Sequence, residues 1–525
     1  MSLTMKKSLL LLSIFSFAQN LNAQIDIAWE KHFGGTSFDV GYSVVASPDG
    51  GFVAAGYSKS DDGQVEANQG DNDYWVIKTD ANGELIWQND LGGIDNDICF
   101  VVVNANGGGY MLMGTSESNN GDVSGHHSPG LGDYWLVKLD EDGILLWSHC
   151  YGGLGFDNGR SIIATSDGGY AMVGESNSDD GDVTGLFAGQ DLWIVKIDAD
   201  GVIEWQGAHG GASNEYGYGI VQTDDGGFAV ASASYSWDSG VVTGNHGSSD
   251  FWITRFDDAG VMLWQKSFGS TGADIPKSIA KCSNGDFVIC GSSGNNDGDV
   301  TGFHGTYDYW VIRVSDDGEL IWQKSLGGYD DEKANSIAAT SDDGFIVTGF
   351  AWNVDGDVTF NHGGHDVWVV KLDASGNMVW EKSFGGTAEE EGYSIQELNP
   401  TEYILLGQTP SDDGDAISTP EGLNDFWLMK LVLSDNMAVN NKEEFKLQFT
   451  PNPFLTETRC TIKGNLNALD KPVITIIDIS GKVVYSQSIS SQSFVIDRKS
   501  LSAGVYQFLL HSNDGDLVIG KLVME

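Results

Sequence analysis

Two series of tryptophans run through the chain in the same register, and together they constrain the fold more than any other feature. Trp75, Trp135, Trp193, Trp252, Trp310, Trp368 and Trp427 recur every 58 to 60 residues, each preceded by Asp-x. Trp29, Trp87, Trp147, Trp205, Trp264, Trp322 and Trp380 repeat at the same period. A period of this length held over seven copies is the mark of a repeat architecture, in which one supersecondary unit recurs and neighbours bury each other.

Each unit reads as four short strands. In the third copy these are the runs after Gly159, at Tyr170-Ala-Met-Val-Gly174, at Leu192-Trp-Ile-Val-Lys-Ile197 and at Val202-Ile-Glu-Trp-Gln206, separated by Ser-Asp-Gly-Gly and Asp-Ala-Asp-Gly turns. No stretch carries a helical period. The third run is apolar at both parities, as in a strand covered on both faces. Four strands times seven predicts an all-β, seven-bladed β-propeller over residues 24–431. A lone Trp29-type strand opens the series and a lone Trp427-type strand ends it, so the first is expected to complete the last blade and close the ring.

Two positions keep their character in all seven copies: an Asp two before each third-strand Trp (Asp73 to Asp425) and a cation three after it (Lys78 to Lys430). Their recurrence argues for structure, with the Asp capping a turn and the cation pairing with a carboxylate between blades. The turn Asp-x-x-Gly-x-x-x-Trp, as in Asp198 to Trp205, resembles the sialidase Asp-box and the tryptophan-docking repeat of quinoprotein-like propellers. That resemblance implies a structural turn.

The loop between second and third strands is acidic. Its copies include Ser178-Asp-Asp-Gly-Asp182, Asn295-Asn-Asp-Gly-Asp299, Asn353-Val-Asp-Gly-Asp357 and Ser411-Asp-Asp-Gly-Asp415. Carboxylates around a Gly turn suit Ca²⁺, so Asp179, Asp180, Asp182, Asp297, Asp299, Asp355, Asp357, Asp412, Asp413 and Asp415 are candidate ligands; Asx residues making their own turn hydrogen bonds are the alternative. His246, His304 and His362 sit six before their tryptophans, on loops expected to lie too far apart for a shared zinc, and read as solvated loop residues. No nucleophile converges with a base, so no catalytic residue is assigned.

The chain has 75 acidic and 27 basic residues among 525, a net charge of −48. Such a surface repels phosphate backbones and excludes nucleic acid as a partner. Five cysteines (Cys99, Cys150, Cys282, Cys290, Cys460) without framework spacing argue against a disulfide scaffold. In a two-residue hairpin at Asn284-Gly285, Cys282 would face Phe287 and Cys290 would face Ile279. Lys6-Lys7, an apolar run over 8–18 and Ala23 form a secretory signal peptide over 1–23; that run is too short to span a membrane, and no later one approaches the length.

After Leu431 the pattern stops. Residues 432–444 read as a polar linker, and 445–525 as alternating runs with Gly turns, predicting a small β-sandwich. Thr450-Pro-Asn-Pro-Phe454, Asp478-Ile-Ser-Gly-Lys-Val-Val484, Leu501-Ser-Ala-Gly-Val-Tyr506 and Gly520-Lys-Leu-Val-Met-Glu525 resemble the type A sorting domain of the type IX (Por) secretion system, with Pro451, Asn452, Pro453, Gly481, Gly504, Tyr506 and Lys521 as its signature positions. The resemblance implies recognition by the type IX translocon and sorting machinery, and release or attachment to surface lipopolysaccharide, giving a secreted or cell-surface protein at the outer face of the outer membrane. The function expected is a surface propeller binding a glycan, a protein or a cation. A glycan-acting hydrolase or lyase with its site on the loop face, a quinoprotein-like oxidoreductase and a structural surface component are the alternatives. Against the enzymes stand the absence of adjacent cysteines and of an Arg cluster.

Overall fold

Strands whose side chains are apolar at both parities must be covered on two faces, and the chain meets this demand by stacking sheets radially. The computed structural model describes residues 24–434, apart from 67, 129 and 418–421, and in the C-terminal part residues 446–450, 457–463, 471–477, 482–489, 491–497, 504–512 and 515–524. The signal peptide, most of the linker, Pro451, Asn452, Pro453 and Gly481 lie outside the described residues.

Seven four-stranded antiparallel sheets form the propeller. Their first strands, in order, are Asp39–Ala46, Asp97–Asn104, Asp157–Ala164, Glu215–Gln222, Ile275–Lys281, Glu332–Ala339 and Glu391–Asn399. Each of these strands packs against the first strands of the blades on either side, which makes them the innermost layer. Blade seven is completed by Gln24–Phe33, which pairs with Asp425–Ser434. The expected closure is therefore the observed one, and Trp427 Nε1 donates to Glu30 Oε2 at 3.1 Å across the joint.

No third strand has an exposed residue among those described, and Asp191–Ile197, for example, is buried throughout. Five of their tryptophans pack against an aromatic residue of a neighbouring blade, as Trp135 does with Tyr74 at 4.5 Å between ring centres, and the Tyr74 hydroxyl donates to the Trp135 carbonyl. The second tryptophan series docks outward onto the next blade's turn. Trp205 Nε1 donates to the Asp258 carbonyl at 3.1 Å, and its ring lies on Gly260, where φ is +78° and a Cβ would come within 2.6 Å of the ring. Only glycine serves there, which explains the Gly of the repeated turn.

The invariant cations pair mainly inside their own blade, not between blades as the sequence suggests. Lys78 meets Asp49 at 2.5 Å, Lys196 meets Asp167 at 2.8 Å and Lys371 meets Asp342 at 3.0 Å, each carboxylate lying on the turn between first and second strands. Arg255 alone adds a neighbour's carboxylate, Asp316 at 3.0 Å, because its longer fork reaches it. All five cysteines are free. Cys290 pairs with Ser278, not Ile279, and Phe287 with Lys281, because the loop holds three residues, Ser283 to Gly285, and closes through Cys282 N to the Asp286 carbonyl.

The C-terminal unit is a separate compact body within 434–525. It has a three-stranded sheet (Lys446–Thr450, Glu457–Lys463, Ser493–Asp497) and a four-stranded one (Val473–Ile477, Val483–Ser488, Gly504–Ser512, Gly515–Met524). Cys460, Ile462, Ile474, Ile476, Ile496, Tyr506 and Phe508 form their common core, the β-sandwich expected. Gly504 opens a strand, Tyr506 is buried and Lys521 lies within the last strand.

Candidate functional site

The repeating residues build the frame; the residues that break the repeat sit at one place in it. Every first strand carries a β-bulge at the same point, with register shifts at Gly41/Ser43, Cys99/Val101, Gly159/Ser161, Gly217/Gly219, Pro276/Ser278, Ala334/Ser336 and Gly392/Ser394. The residues left unpaired are Tyr42, Phe100, Arg160, Tyr218, Lys277, Asn335 and Tyr393. A bulge re-aims the extra side chain out of the ladder, and on the innermost strand the space beyond the ladder is the axial channel. These seven are all half-buried, while the small residues before them are buried.

Contacts around the ring confirm the placement. Tyr42 meets Tyr393 of blade seven at 4.9 Å and Phe100 of blade two at 5.4 Å, and Tyr57 on its own blade at 6.0 Å. On the other side Tyr218 lies between two cations: Arg160 of blade three at 4.9 Å from the ring centre and Lys277 of blade five at 4.5 Å. Asn335 donates to the Gly392 carbonyl at 3.0 Å. One arc of the throat is thus aromatic and the other cationic.

The cations are held differently. Arg160 donates to Glu175 through Nε (2.7 Å) and Nη2 (2.6 Å), and Asn158 donates to the same carboxylate at 2.8 Å. Glu175, almost fully buried, fixes the guanidinium as a fork. Lys333 stands 4.6 Å from the centre of the Tyr307 ring and 3.1 Å from Asp331. Lys277 makes no ion pair among the described residues. Burial first, then Arg160 and Lys333, push its amine down to about 8, outweighing Glu391 and Glu175, which act the other way. In a chain of net charge −48 the throat is a place where an amine is repelled by its surroundings. The Tyr393 hydroxyl donates to Glu391 at 2.7 Å, and burial pushes the Tyr42 and Tyr393 phenols well up.

A ring of buried acids surrounds the mouth above the bulges. Asp39, Asp97, Asp157, Glu215, Asp274, Glu332 and Glu390 each accept the N–H four residues earlier, as Asp157 does from Gly153 at 2.8 Å. Burial pushes Asp97 up to about 6 and Glu332 to about 7.

The candidate calcium ligands lie on the loop face and are engaged as clips. Asp180, Asp297, Asp355 and Asp413 accept the backbone N–H of Leu154, Thr271, Tyr329 and Thr387 at 2.6–2.9 Å. Asp182, Asp299 and Asp357 accept from Gly152, Gly269 and Gly327 at 3.2–3.3 Å. Asp415 faces His362 Nε2 at 3.5 Å. Asp179 and Asp412 are exposed. Among the described residues no three His, Cys, Asp or Glu side chains are grouped to hold a metal ion. Of the loop histidines, His304 Nδ1 bonds Asp308 of its own blade at 2.9 Å, while His246 and His362 bridge blades: His246 Nδ1 bonds Asp250 at 2.7 Å, and its Nε2 points at Asp299 of the next blade, 3.9 Å away. His127 does the same with Asp133 and Asp182, a copy displaced by two residues in the sequence. The grooves on the opposite face, such as the one lined by Asp49, Lys78 and Tyr110, are built from residues that recur in most blades.

Residues 448–525 match the family model for a secretion system C-terminal sorting domain. The chain is a cargo of the type IX secretion system. The cargo's export, to the cell surface or the medium, follows from that domain. The chain is similar to the regulatory protein FlaEY of Caulobacter vibrioides, 24% identical over 65% of this chain and 40% of that one, so it spans less than half of that relative. Among solved structures it is similar to PorZ, an essential surface component of the type IX secretion system of Porphyromonas gingivalis (10% identity, TM-score 0.41, covering 95% of this chain and 61% of that one). It is also similar to the NanB sialidase of Streptococcus pneumoniae (10% identity, TM-score 0.36, covering 76% and 69%). No helix long and apolar enough to cross a membrane occurs among the described residues.

Proposed function

We propose that this cargo is a binding protein of the outer cell surface, or released from it, and that its ligand enters the axial throat from the loop face. The observation that supports this reading is the ring of bulge residues. Its position is repeated seven times by the backbone, yet the seven side chains include an arginine, a lysine, an asparagine and four aromatic residues of two kinds. A purely structural bulge would repeat its side chain, as the flanking acids and small residues do. Convergent, blade-specific polar and aromatic groups in a concavity are what a ligand site needs.

In this reading the leader over 1–23 is removed at export and residues 432–444 tether the sorting domain, which engages the type IX translocon and, where attachment follows, lipopolysaccharide. The partner at the throat is a glycan or a protein. The test is binding of the mature, labelled protein to an array of glycans and surface proteins, comparing wild type with the double variant Tyr42→Ala, Tyr393→Ala. Loss of the array signal in the variant, with an unchanged circular dichroism spectrum, is expected. A variant that binds like wild type would place the site elsewhere.

A further inference from the structure

The two halves of the throat ask for different things from a ligand. Tyr42, Tyr57, Phe100 and Tyr393 form a continuous aromatic arc, with successive ring centres 4.9–6.0 Å apart. Aromatic side chains with hydroxyls at the edge offer apolar area and hydrogen bonds together. The Tyr42 hydroxyl has no protein partner among the described residues. Opposite stand Arg160 and Lys277, both against Tyr218. Glu175 takes Arg160 through Nε and Nη2 and leaves Nη1 unused by it. Lys277 has no carboxylate of its own, so its ammonium is partnered by a ring face and by whatever occupies the channel. An amine left without a counter-ion beside two other cations, in a chain so acidic, is a place for a negative group from outside.

We propose that the throat binds the acidic residue of a saccharide, a pyranose ring carrying a carboxylate, with the carboxylate on Lys277 and Arg160 and the ring on the aromatic arc. The inference rests on the throat being the ligand site. The hydroxyl-bearing arc favours a sugar over an acidic peptide, whose side chains bring no apolar ring face to cover it. Asn335, with its amide nitrogen spent on Gly392, keeps its oxygen for a hydroxyl donor. Glu391, already accepting from Tyr393, is a second acceptor for a sugar hydroxyl on the same side.

The experiment is titration calorimetry of the mature full chain with trigalacturonate, with neutral galactotriose and with a short polyglutamate, in wild type, Lys277→Gln and Tyr42→Leu. Trigalacturonate is expected to bind at least about tenfold tighter than galactotriose, a difference of one charge-assisted contact. Lys277→Gln should reduce that preference to less than about threefold, and Tyr42→Leu should weaken both saccharides. Equal affinity for the two saccharides, or a preference that survives Lys277→Gln, would overturn the acidic-sugar inference; if Tyr42→Leu still weakened binding, the throat itself would stand. Binding of polyglutamate in preference to trigalacturonate, or of none of the three, would also overturn it.

Discussion

Arg160 on blade three lies 4.9 Å from the centre of the Tyr218 ring on blade four while Glu175 grips it from behind with two hydrogen bonds. The guanidinium thus joins a buried anchor to the lining of the throat. Removing the anchor leaves a cation in a desolvated place with no counter-charge. Glu175→Ala is expected to cost on the order of 3 kcal/mol in chemical denaturation, and the double replacement of Glu175→Leu with Arg160→Met, which removes both charges together, less than that single loss. A Glu175→Ala cost under about 1 kcal/mol would mean that solvent already screens the pair.

The pH dependence follows from the buried acids. Burial pushes Asp97 and Asp250 up to about 6 and Glu332 to about 7, and burial beside Asp73 pushes Asp90 up to about 9. A carboxyl whose folded value lies above its unfolded one favours the fold at pH below the unfolded value and loses that contribution as pH rises through the folded one. Asp49, Asp167 and Asp225 are held down to about 2, so their contribution is present above the usual carboxylate range and fails only below it. The melting temperature is therefore expected to be higher at pH 5 than at pH 8.5 at fixed ionic strength. Asp90→Asn should raise it at pH 8.5 and leave it nearly unchanged at pH 4. A variant effect independent of pH would contradict the assignment.

The loop aspartates give a prediction about calcium. Asp180 holds the Leu154 N–H at 2.7 Å, so Asp180→Ala should lower the melting temperature in calcium-free buffer by the equivalent of about 1 kcal/mol. The same drop is expected with CaCl₂ and with NaCl of equal ionic strength. A drop confined to calcium-containing buffer would instead assign Asp180 and Asp182 to a cation.

Closure rests on the first strand. Deleting residues 24–33 removes Glu30 from Trp427 and Trp29 from Phe52, 5.8 Å away, and opens an edge on Asp425–Ser434. The melting temperature should fall by roughly 5 °C or more, with aggregation at higher concentration. A monomer with unchanged melting would contradict a closed ring.

Much of the frame was legible because it repeats. Trp75 and Trp205 mark strand and turn in every blade, and the Asp of the 198–205 turn is found doing what such a turn requires. The throat was hidden for the opposite reason: Arg160, Lys277 and Tyr393 share no chemistry, so aligning the repeats treats their position as variable. The usable signal is the spacing. Each bulge residue lies three after an acid (Asp157 to Arg160, Asp274 to Lys277, Glu390 to Tyr393) and directly after a small or ring-constrained residue. The direction of the Lys78 pairing was likewise unreadable, since sequence does not say that the Asp49 turn curls back under its own third strand.

The measurement that tests the throat most directly is acylation of Lys277 followed by mass spectrometry. Its amine, faced by Arg160, Lys333, Glu391 and Glu175 and buried against Tyr218, is held at about 8. It should be half-deprotonated near that pH, and the exposed Lys59 serves as the internal standard for the reagent. Saturating trigalacturonate is predicted to slow acylation of Lys277 at least about fivefold while leaving Lys59 unchanged, as occupancy of a site near 80% requires. Equal rates with and without saccharide, in a protein that binds it, would contradict a ligand site in the throat.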